Sequence, residues 1–512
     1  MATLSVAAIL AENARRRPDK EALVEGDLRL SFAEVWRRAR AQAGALTGLG
    51  VRPGDRVALM APNTADFPQA YYAIAAAGGV VVPVHLLLSA AEVEHVLRDS
   101  GATLLLCHPA QAETGTAAAR ETGVRVITLG DEFGTLAADA EPLPTYVTRD
   151  ADDPAVVFYT SGTTGVPKGA VLSHFNLVMN ATVNAFDAND IRPDDIALGA
   201  LPLFHAFGQT VSLNSTWRAG ATLVLLPRFD AARAIELMVE EKVNTFHGVP
   251  TMFVALAAAA RDAGALPDLR VCVSGGASLP VAVLERFEEA FGARVHEGYG
   301  LSETSPAAAV NQPVFGTRPG TIGHPLWGVD VEIAHADVEG RVVLLPPGEL
   351  GEVVVRGHNV FSGYLGRPEA TAEALVDGWF RTGDLGTKDD EGFLRIVDRK
   401  KDVIIRGGYN VYPREVEEVL MRHPGIAHVA VIGLPDELHG EEVCAVVVPE
   451  PGATPDAAGI TEWSKGHLGR YKYPRRVEFA DALPLGPSMK VLKRELRARY
   501  VNHAPHQGPP AR

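Results

Sequence analysis

A glycine- and threonine-rich loop contains the residues of this sequence whose types and spacing are best suited to chemistry. It spans residues 159–169 and reads YTSGTTGVPKG. Its small residues allow several backbone N–H groups to converge on an anion, and its hydroxyl groups and Lys168 add further donors. The loop is therefore predicted to bind phosphate groups.

The surroundings of this loop differ from those of a P-loop. In a P-loop, G-x-x-x-x-G-K-[ST], the lysine follows a glycine and lies at the start of a helix. Lys168 instead lies between Pro167 and Gly169. The flanking stretches, AVVFYT and GAVLSH, have the pattern of strands. The sequence thus predicts a phosphate-binding loop that joins two strands.

The segments that must position this loop alternate between strand and helix patterns. Strands are predicted at 56–62, 80–84, 102–108, 124–130, 223–226, 243–250 and 269–276. A helix is predicted at 66–77, and Ser89 and Glu92 have the spacing of a capping box that opens the next helix. Because such alternation is typical of parallel sheets covered on both faces, we expect an α/β fold with two doubly wound sheet subdomains.

The pattern changes in the C-terminal part of the chain. Short strands with glycine turns begin at 328 and predict a small β-barrel over 328–397. We expect residues 1–397 to form a large N-terminal domain and the charged segment 398–402 to form a hinge. A small mobile α+β domain is expected over 403–500, and the Pro-rich tail at 501–512 is expected to be disordered.

Composition excludes several classes of protein. The 512 residues include 48 Lys plus Arg and 63 Asp plus Glu, and the net charge of −15 argues against a nucleic-acid partner. The three cysteines (Cys107, Cys272 and Cys444) lie far apart, which fits a reducing cytoplasm rather than a disulfide framework or a zinc site. The most apolar stretch, 71–84, is shorter than the ~20 residues of a membrane span, so no integral membrane segment is expected.

Seven further motifs follow the loop along the chain. They are PLFHAFG (202–208), GVPTMF (248–253), SGGASLP (274–280), EGYGLSET (297–304), DGWFRTGDLG (377–386), FLRIVDRKKDVIIRGGYNVYPREVE (393–417) and PSMKVLKREL (487–496). Together with the loop they closely resemble the signature of the adenylate-forming superfamily, which includes acyl-CoA synthetases, peptide-synthetase adenylation domains and firefly-type luciferases. The resemblance implies that a carboxylate attacks ATP to give an acyl-adenylate and pyrophosphate, and that a thiol then displaces AMP.

The resemblance also implies a nucleotide site built from several motifs. The residues implied to hold the β- and γ-phosphates are Thr160, Ser161, Gly162, Thr163, Thr164, Gly165 and Lys168. Those implied to line the adenine slot are Gly276, Ala277, Gly298, Tyr299 and Gly300, with Tyr299 stacking on the ring. Asp384 would accept the ribose hydroxyls with help from Arg399, although Arg399 alone would more often pair with Asp398 or Asp402.

Glu303 and Thr304 are implied to act beside the phosphates. Glu303 would ligate Mg²⁺, for which a hard carboxylate oxygen is suited, and Thr304 would contact the α-phosphate. The alternative for Glu303 is a carboxylate at the start of a helix, since a loop enters a helix at this point of the pattern.

The remaining implied residues belong to the mobile C-terminal domain. Lys490 would bridge the acid's carboxylate and the α-phosphate, although Met489 replaces the glycine that many relatives carry before this lysine. Lys401 matches the family's hinge position, about which the domain would rotate to present Gly407 and Gly408 to the thioester site.

The members of the superfamily differ in the acid that their acyl pocket binds and in the molecule that accepts the acyl group. The implied pocket residues are His205, Phe207, Val249, Ala277, Pro306 and Ala307. They are mostly apolar or small, which favours a hydrophobic acid, although His205 is also compatible with simple packing. Peptide-synthetase adenylation domains usually have an aspartate in this motif to bind the ammonium of an amino acid, and PLFHAFG contains no carboxylate. The resemblance therefore implies a non-amino carboxylic acid, and coenzyme A is the expected acyl acceptor.

Three other functions stay open at the level of sequence. They are an acyl-AMP ligase that loads an acyl-carrier protein, a luciferase-like oxygenase, and an inactive module that binds an acyl-adenylate. The presence of Lys168, Glu303, Asp384 and Lys490 together argues against the inactive module. The oligomeric state, including a homodimer, is also left open.

Overall fold

The computed structural model describes residues 2–160, 167–486 and 491–501 of the chain. The α-helices in this part are α1 Ala7–Arg16, α2 Phe32–Gly48, α3 Asp66–Ala76, α4 Ala90–Ser100, α5 Ala112–Thr122, α6 Asp131–Asp139, α7 His174–Val183, α8 Ser215–Ala219, α9 Ala231–Glu240, α10 Pro250–Ala259, α11 Val281–Phe291, α12 Pro368–Ala374, α13 Pro413–Leu420, α14 Ala457–Lys465 and α15 Lys493–Tyr500. Short 3₁₀ turns cover Pro109–Gln111, Ser302–Thr304 and Lys400–Asp402, and π-helical segments cover Asn184–Ala188 and Phe207–Asn214.

The strands in the same part of the chain build four sheets. They are β1 Glu21–Glu25, β2 Leu28–Ser31, β3 Arg56–Met60, β4 Val80–Pro83, β5 Leu104–Cys107, β6 Arg125–Thr128, β7 Pro154–Thr160, β8 Lys168–Ser173, β9 Ile196–Gly199, β10 Thr222–Leu225, β11 Thr245–Gly248, β12 Val271–Ser274, β13 Val295–Gly300, β14 Ala307–Val310, β15 His324–Pro325, β16 Val329–Ala334, β17 Gly351–Gly357, β18 Gly363–Tyr364, β19 Leu375–Val376, β20 Trp379–Lys388, β21 Leu394–Arg399, β22 Ile404–Arg406, β23 Tyr409–Val411, β24 Ile426–Asp436, β25 Gly440–Pro449 and β26 Arg476–Phe479.

The first two sheets confirm the predicted α/β architecture. The seven-stranded sheet has the order β18-β8-β7-β4-β3-β5-β6, and its strands from β7 to β6 in that order run parallel. The nine-stranded sheet has the order β15-β14-β13-β12-β11-β9-β10-β1-β2, with antiparallel strands at both ends. Every residue of β4, β5 and β10 is buried, as expected for parallel strands covered on both faces.

Helix ends follow the expected local chemistry. Ser89 accepts a hydrogen bond from the backbone N–H of Glu92, and the Glu92 carboxylate accepts from the backbone of Ser89, which confirms the predicted capping box. Ser31 and Glu34 form the same arrangement before α2. These caps satisfy N–H groups that a helix leaves unpaired at its first turn.

Aromatic side chains fill the core between the two sheets. Trp217 is fully buried and its indole N–H donates to the carbonyl of Ala22 at 2.9 Å. The Phe32 ring contacts Trp217 edge-on with ring centres 6.1 Å apart. Tyr72 is also fully buried, and its hydroxyl donates to Asn214 at 2.9 Å. Because each buried polar tip has a partner, these large rings can be buried without leaving an unpaired donor.

The predicted barrel segment forms a five-stranded antiparallel sheet. Its order is β16-β17-β20-β19, and β21 pairs with the second half of the long strand β20. The antiparallel pairing agrees with the prediction. Among the described residues the two end strands of this order, β16 and β19, do not pair with each other.

The chain after the turn Lys400–Asp402 builds its own sheet, of order β23-β22-β25-β24 with β26 against β25. Helices α13 and α15 both pack on β24. Within the described residues, no helix is both long and apolar enough to cross a lipid bilayer.

Candidate active site

A cleft of about 2010 Å³ lies where the seven-stranded sheet, the nine-stranded sheet and the antiparallel sheet meet the C-terminal segment. Pro83 and Thr160 line it at the carboxyl ends of β4 and β7, and Gly275 lines it just after β12. The carboxyl ends of parallel strands are where α/β sheets usually bind ligands. The cleft therefore lies where a ligand is expected in an α/β fold, and its lining residues come from all three of these sheets and from the C-terminal segment.

Glu303 lines one corner of the cleft, where it contacts several other predicted residues. Its side chain is buried, and its Oε1 accepts hydrogen bonds from Thr160 at 3.4 Å and from the Tyr364 hydroxyl at 3.0 Å. Thr160 pairs across the β7–β8 hairpin with Lys168, whose ammonium lies 5.3 Å from the centre of the Tyr364 ring. The structure thus brings together three residues that the sequence predicted, Thr160, Lys168 and Glu303.

The hairpin also tests the predicted setting of the glycine-rich loop. β7 and β8 are antiparallel neighbours joined by this loop, which confirms that it connects two strands and does not open a helix. Thr160 and Lys168 are the two ends of the loop that the structure describes. The other predicted phosphate ligands, Ser161, Gly162, Thr163, Thr164 and Gly165, lie outside the described residues.

Tyr364 is a site residue that the sequence reasoning missed. It lies on β18, which pairs with β8 in the register Tyr364 to Ala170. Burial and the adjacent negative charge of Glu303 raise the pKa of Tyr364, so its hydroxyl stays protonated and donates to the carboxylate. The segment FSGYLG that contains it lies between two motifs, and its only local signal is a polar aromatic residue after a glycine.

Asp384 and Arg399 form a second corner. They face each other across the β20–β21 pair, and Arg399 Nε lies 3.3 Å from Asp384 Oδ1. The Tyr299 hydroxyl donates to Asp384 Oδ2 at 2.6 Å. Arg399 therefore pairs with the buried Asp384, as the resemblance implied, while Asp398 accepts from the backbone N–H groups of Arg399 and Arg414.

Tyr299, which the resemblance implied would stack on adenine, also makes a hydrogen bond through its hydroxyl. Burial and the neighbouring charge of Asp384 raise the pKa of the Tyr299 phenol, so the hydroxyl remains a donor to that carboxylate. The ring still lines the cleft, between Gly298 and Gly300. A Cβ atom at Gly300 would lie 1.8 Å from the carbonyl oxygen of Pro306, so only glycine fits at this position.

Three predicted residues do not face the cleft in this structure. Val249 is buried in the core beside α10, because its position next to Pro250 places it at the start of that helix. Ala277 is exposed, whereas its neighbours Gly275 and Gly276 line the cleft. The fully buried Thr304 hydroxyl has the carbonyl oxygens of Leu301 and Pro306 as acceptors for its one proton, and it accepts from the N–H of Leu301, so it stabilises the turn.

The lining of the cleft includes a set of mostly apolar residues, which we call the apolar arm. His205, Phe207, Pro306 and Ala307 line it as predicted. Further lining residues, which the sequence reasoning missed, are Phe204, Val211, Val273, Gly275, Ala309 and Val310. His205 Nδ1 accepts from the N–H of Phe207 at 3.2 Å. A Cβ at Gly275 would lie 3.0 Å from the Phe207 ring, so a glycine there allows the ring to pack against the backbone.

A π-helical segment, Phe207–Asn214, forms one wall of this arm, and all of its residues are buried. The wider turn of a π-helix is rare and often occurs at functional sites. Here it carries Phe207 and Val211 to the cleft and Ser212 toward the sheet behind it.

The C-terminal domain closes the cleft from the outside. Leu485, Gly486, Val491, Leu492 and Glu495 line it. Lys490 lies outside the described residues, but the residues on both sides of 487–490 reach the cleft wall.

The predicted hinge and thioester-site residues lie apart from one another. Lys401 is exposed and lines the cleft within the turn Lys400–Asp402. Gly407 and Gly408 are exposed at the β22–β23 hairpin, where the Gly407 N–H donates to the His439 carbonyl at 2.7 Å. Neither glycine is among the residues that line the cleft.

Glu297 contacts residues of both the N-terminal part and the C-terminal domain. The sequence analysis gave it no role beyond its place in the motif EGYGLSET. It is 2% exposed, and its Oε1 lies 3.6 Å from Arg414 Nη2 and accepts from the Leu279 N–H at 3.1 Å. Burial raises its pKa to about 7, although Arg414 and the Leu279 N–H act in the opposite direction. Glu418 and Glu450 add contacts across the same boundary, to the Val281 N–H and to Arg286.

Comparisons with known proteins agree with these motifs and this fold. Residues 10–365 match the model of the AMP-binding enzyme family, and residues 415–490 match that of the AMP-binding enzyme C-terminal domain. The chain is 42% identical over 492 residues to a feruloyl-CoA synthase of an Amycolatopsis species, covering 95% of this chain and 97% of that protein. It is 37% identical to a long-chain-fatty-acid–CoA ligase of Mycobacterium tuberculosis, covering 97% and 99% of the two chains.

Solved structures give the same result at the level of the fold. The crystal structure of ATP-bound MatB from Rhodopseudomonas palustris superposes with a TM-score of 0.89 at 34% identity, covering 97% of this chain and 99% of that one. The chain therefore belongs to the AMP-binding enzyme family, the adenylate-forming superfamily. Within that superfamily it is an AMP-forming acid–thiol ligase of the acyl-CoA synthetase branch.

Proposed function

We propose that this ligase activates a hydrophobic carboxylic acid as its acyl-adenylate and transfers the acyl group to coenzyme A. The observation that carries the proposal is the presence, in one cleft, of the Glu303 corner, the Asp384–Arg399 pair and an apolar arm. The first two are suited to the phosphates and ribose of ATP, and the third is suited to an acyl group.

In the first step a carboxylate oxygen of the acid attacks the α-phosphorus of ATP. The new O–P bond forms as the bond to pyrophosphate breaks, and negative charge accumulates on the departing oxygen. Lys168 and the loop beside Thr160 contact the β- and γ-phosphates, and Lys490 neutralises the acid and the α-phosphate as they meet. The position of Val491 and Leu492 on the cleft wall supports this role, because they immediately follow Lys490.

Glu303 is suited to hold the Mg²⁺ ion that accompanies ATP. Its carboxylate is a hard oxygen ligand inside the cleft, and the Thr160 hydroxyl next to it is a second oxygen donor. When bound, Mg²⁺ supplies positive charge to the phosphates. Tyr364 orients the Glu303 carboxylate by donating to one of its oxygens.

Asp384 is assigned to the ribose hydroxyls. Its two oxygens are held by Arg399 and Tyr299, so the carboxylate is oriented before the nucleotide binds. The adenine is assigned to the slot that Gly276, Gly298 and Gly300 line. Thr304 and Ala277 would reach the nucleotide only after a local rearrangement of their turns.

In the second step the thiolate of coenzyme A attacks the carbonyl carbon, and AMP leaves with the electrons of the C–O bond. We assign Lys401 as the pivot of a domain rotation that exchanges the Lys490 segment for Gly407 and Gly408. The present arrangement, with Val491 at the cleft and Gly407 exposed, corresponds to the adenylating state. We place the domain boundary at the predicted hinge, 398–402.

The hydrophobic class of acid follows from the apolar arm. Phe204, Phe207, Val211 and Val273 are among its lining residues, and the described residues of this arm include no lysine or arginine. An acid with a second carboxylate would thus bury that charge without a counter-ion, which is strongly unfavourable.

The test is pyrophosphate release measured with straight-chain, aromatic and dicarboxylic acids, each with and without coenzyme A. We expect release with hydrophobic monocarboxylic acids and acyl-CoA formation when the thiol is present. Acyl transfer to a carrier protein but not to coenzyme A would support the carrier-protein ligase instead. Pyrophosphate release followed by light emission and oxygen consumption would support a luciferase-like oxygenase, and no release with any acid would support the inactive module.

A further inference from the structure

Asn184 is a polar residue in the lining of the cleft that the steps described above do not use. It is buried, it lines the cleft, and it begins the π-helical segment Asn184–Ala188. A mostly apolar pocket selects and orients its ligand through a small number of precisely placed polar groups. The choice of acid therefore depends on which atom of the Asn184 amide faces the cleft.

A chain of hydrogen bonds connects Asn184 to the apolar arm. On α7, Asn180 Nδ2 donates to the Ala307 carbonyl at 2.8 Å, and Asn180 Oδ1 accepts from the Ala307 N–H at 3.3 Å. Asn184 Nδ2 in turn donates to the Asn180 carbonyl at 2.8 Å and to Asn180 Oδ1 at 3.1 Å. Because Ala307 lines the arm, Asn184 lies two hydrogen bonds away from an arm residue. Helix α7 also packs on the segment Phe207–Asn214, which forms one wall of the arm.

These bonds fix the orientation of the Asn184 amide. Both donors of Nδ2 are used, and only a nitrogen can donate to the Asn180 carbonyl, so the nitrogen and oxygen cannot be exchanged. Oδ1 accepts no hydrogen bond among the described residues, yet it is not one of their enclosed unpaired polar atoms. Because the residue lines the cleft and its nitrogen is turned toward Asn180, Oδ1 is the amide atom that is open to a ligand.

The chemistry of this oxygen determines what it can select. An amide oxygen accepts hydrogen bonds and has no proton to donate. A hydroxyl group supplies such a proton, whereas a methyl group of similar size and a methoxy group do not. A hydroxyl that enters an apolar pocket without a partner loses its hydrogen bonds to water, which is unfavourable.

We propose, building on the proposed function, that Asn184 Oδ1 accepts a hydrogen bond from a hydroxyl group on the hydrophobic body of the acid and thereby selects hydroxylated acids. The apolar residues of the arm, including Phe207 and Val211, bind the body of the acid. Asn180 is a positioning residue, since its amide is held by Ala307 and itself holds Asn184.

The test compares kcat/KM for pyrophosphate release with acids that carry a hydroxyl, a methyl or a methoxy group at the end remote from the carboxylate. Benzoates, cinnamates and straight-chain fatty acids serve as scaffolds, so that the group reaches different depths of the cleft. On the scaffold that brings the group to Asn184, the wild-type enzyme should favour the hydroxyl acid over both others by about fivefold, the usual net effect of one hydrogen bond.

Asn184→Leu keeps the approximate size of the side chain and removes the acceptor, so it should abolish this preference. Asn184→Ala removes the acceptor without adding a branched side chain, and it tests the same point if Asn184→Leu does not fold. Thr182→Val is the matched control. It removes a hydroxyl of α7 that donates to the Val178 carbonyl at 2.7 Å and is not part of the cleft lining, so the preference should remain.

Two results would overturn the inference. One is a kcat/KM for the hydroxyl acid that is no higher than those of the other two acids on every scaffold in the wild-type enzyme. The other is an unchanged preference in a folded Asn184 variant. Both results include pyrophosphate release and leave the proposed function intact, whereas the absence of release with every acid would refute the proposed function itself.

Discussion

At the scale of single residues, the Glu303 carboxylate is the shared hydrogen-bond acceptor in its corner of the cleft. Thr160 and Tyr364 both donate to the same oxygen, Oε1, and Lys168 contacts the Tyr364 ring. The other oxygen, Oε2, is not used by these bonds and is suited to a metal ion or its water. Four residues from three separate segments therefore depend on one another for their orientation.

Replacing Tyr364 by phenylalanine tests this arrangement. Tyr364→Phe removes the donor to Glu303 but keeps the ring beside Lys168, and a hydrogen bond to a charged group contributes about 1.5 kcal/mol or more. We expect the Mg²⁺ and ATP concentrations needed for half-maximal pyrophosphate release to rise about tenfold. Tyr146→Phe, which alters a tyrosine packed on Trp36, is the control and should leave both unchanged. Unaltered Mg²⁺ dependence of Tyr364→Phe would show that Glu303 does not need this donor.

The charge of Glu303 itself is tested by Glu303→Gln. The amide keeps the size of the side chain but is a much weaker ligand for Mg²⁺ than a carboxylate. We expect an increased Mg²⁺ requirement for pyrophosphate release, measured by titration at saturating ATP. A metal titration that overlays the wild-type curve would contradict the assignment of Glu303.

Lys490 is expected to act in only one of the two steps. Lys490→Ala should reduce pyrophosphate release by about 100-fold or more, the usual effect of removing a charge-stabilising donor. Conversion of supplied acyl-AMP to acyl-CoA should continue. Lys465→Ala, which removes an exposed lysine paired with Glu462, serves as the control. Equal losses in both half-reactions would contradict the role of Lys490.

At the scale of elements, strand pairing and turn geometry place the site residues. The β20–β21 register sets Asp384 opposite Arg399, and the β7–β8 register sets Thr160 opposite Lys168. These four positions can be read from hairpin-forming sequence segments, because each pair comes from strands that are close in the chain. The π-helical segment Phe207–Asn214 is different, since nothing in its composition distinguishes it from an α-helix.

The turn Lys400–Asp402 contains the proposed pivot of the domain rotation. Lys401→Pro restricts the backbone φ angle at the pivot and should depress acyl transfer to coenzyme A while sparing pyrophosphate release. Lys401→Ala removes the same charge without restricting the backbone and should leave both rates near the wild-type values. The two half-reactions are measured separately, and a wild-type thioester rate in Lys401→Pro would remove Lys401 as the pivot.

At the scale of the whole molecule, a few polar contacts hold the C-terminal domain against the large domain. Arg414 of α13 approaches Glu297 and also donates to the Ile396 carbonyl at 2.6 Å. Arg286 pairs with Glu450 at 3.3 Å across the same boundary. Buried apolar side chains of both domains, including Phe287 and Met421, belong to one hydrophobic cluster, so the contact between the domains is both polar and apolar.

Glu297 makes the stability of this arrangement dependent on pH. Its pKa rises from 4.5 to about 7 in the folded chain because of burial, so folding favours the protonated form. Stability contributed by the neutral carboxyl is present below about pH 4.5 and is lost as the pH rises toward 7, by about 3 kcal/mol in total. Glu297→Gln stays neutral throughout.

The melting temperature of Glu297→Gln relative to the wild type should therefore increase between pH 5 and pH 8. Glu289→Gln makes the same change at an exposed position and should show no such trend. A Glu297→Gln difference that is constant across this range would mean that Glu297 is ionised in the folded chain at both values.

The sequence by itself determined the α/β class, the loop between two strands and the adenylate-forming motifs, because these depend on local periodicity and on residues close in the chain. The resemblance of its motifs to the adenylate-forming superfamily also implied that Asp384, Arg399, Glu303 and Lys168 belong to one site. The sequence analysis missed Tyr364 and gave no role to Glu297, and it expected Thr304 to contact the α-phosphate.

Only the tertiary structure decided these last points. Tyr364 acts through Glu303, 61 residues earlier, and Arg414 approaches Glu297 from another domain. Burial, pKa and hydrogen-bond partners arise from segments that meet in space, so no local pattern of residues can encode them.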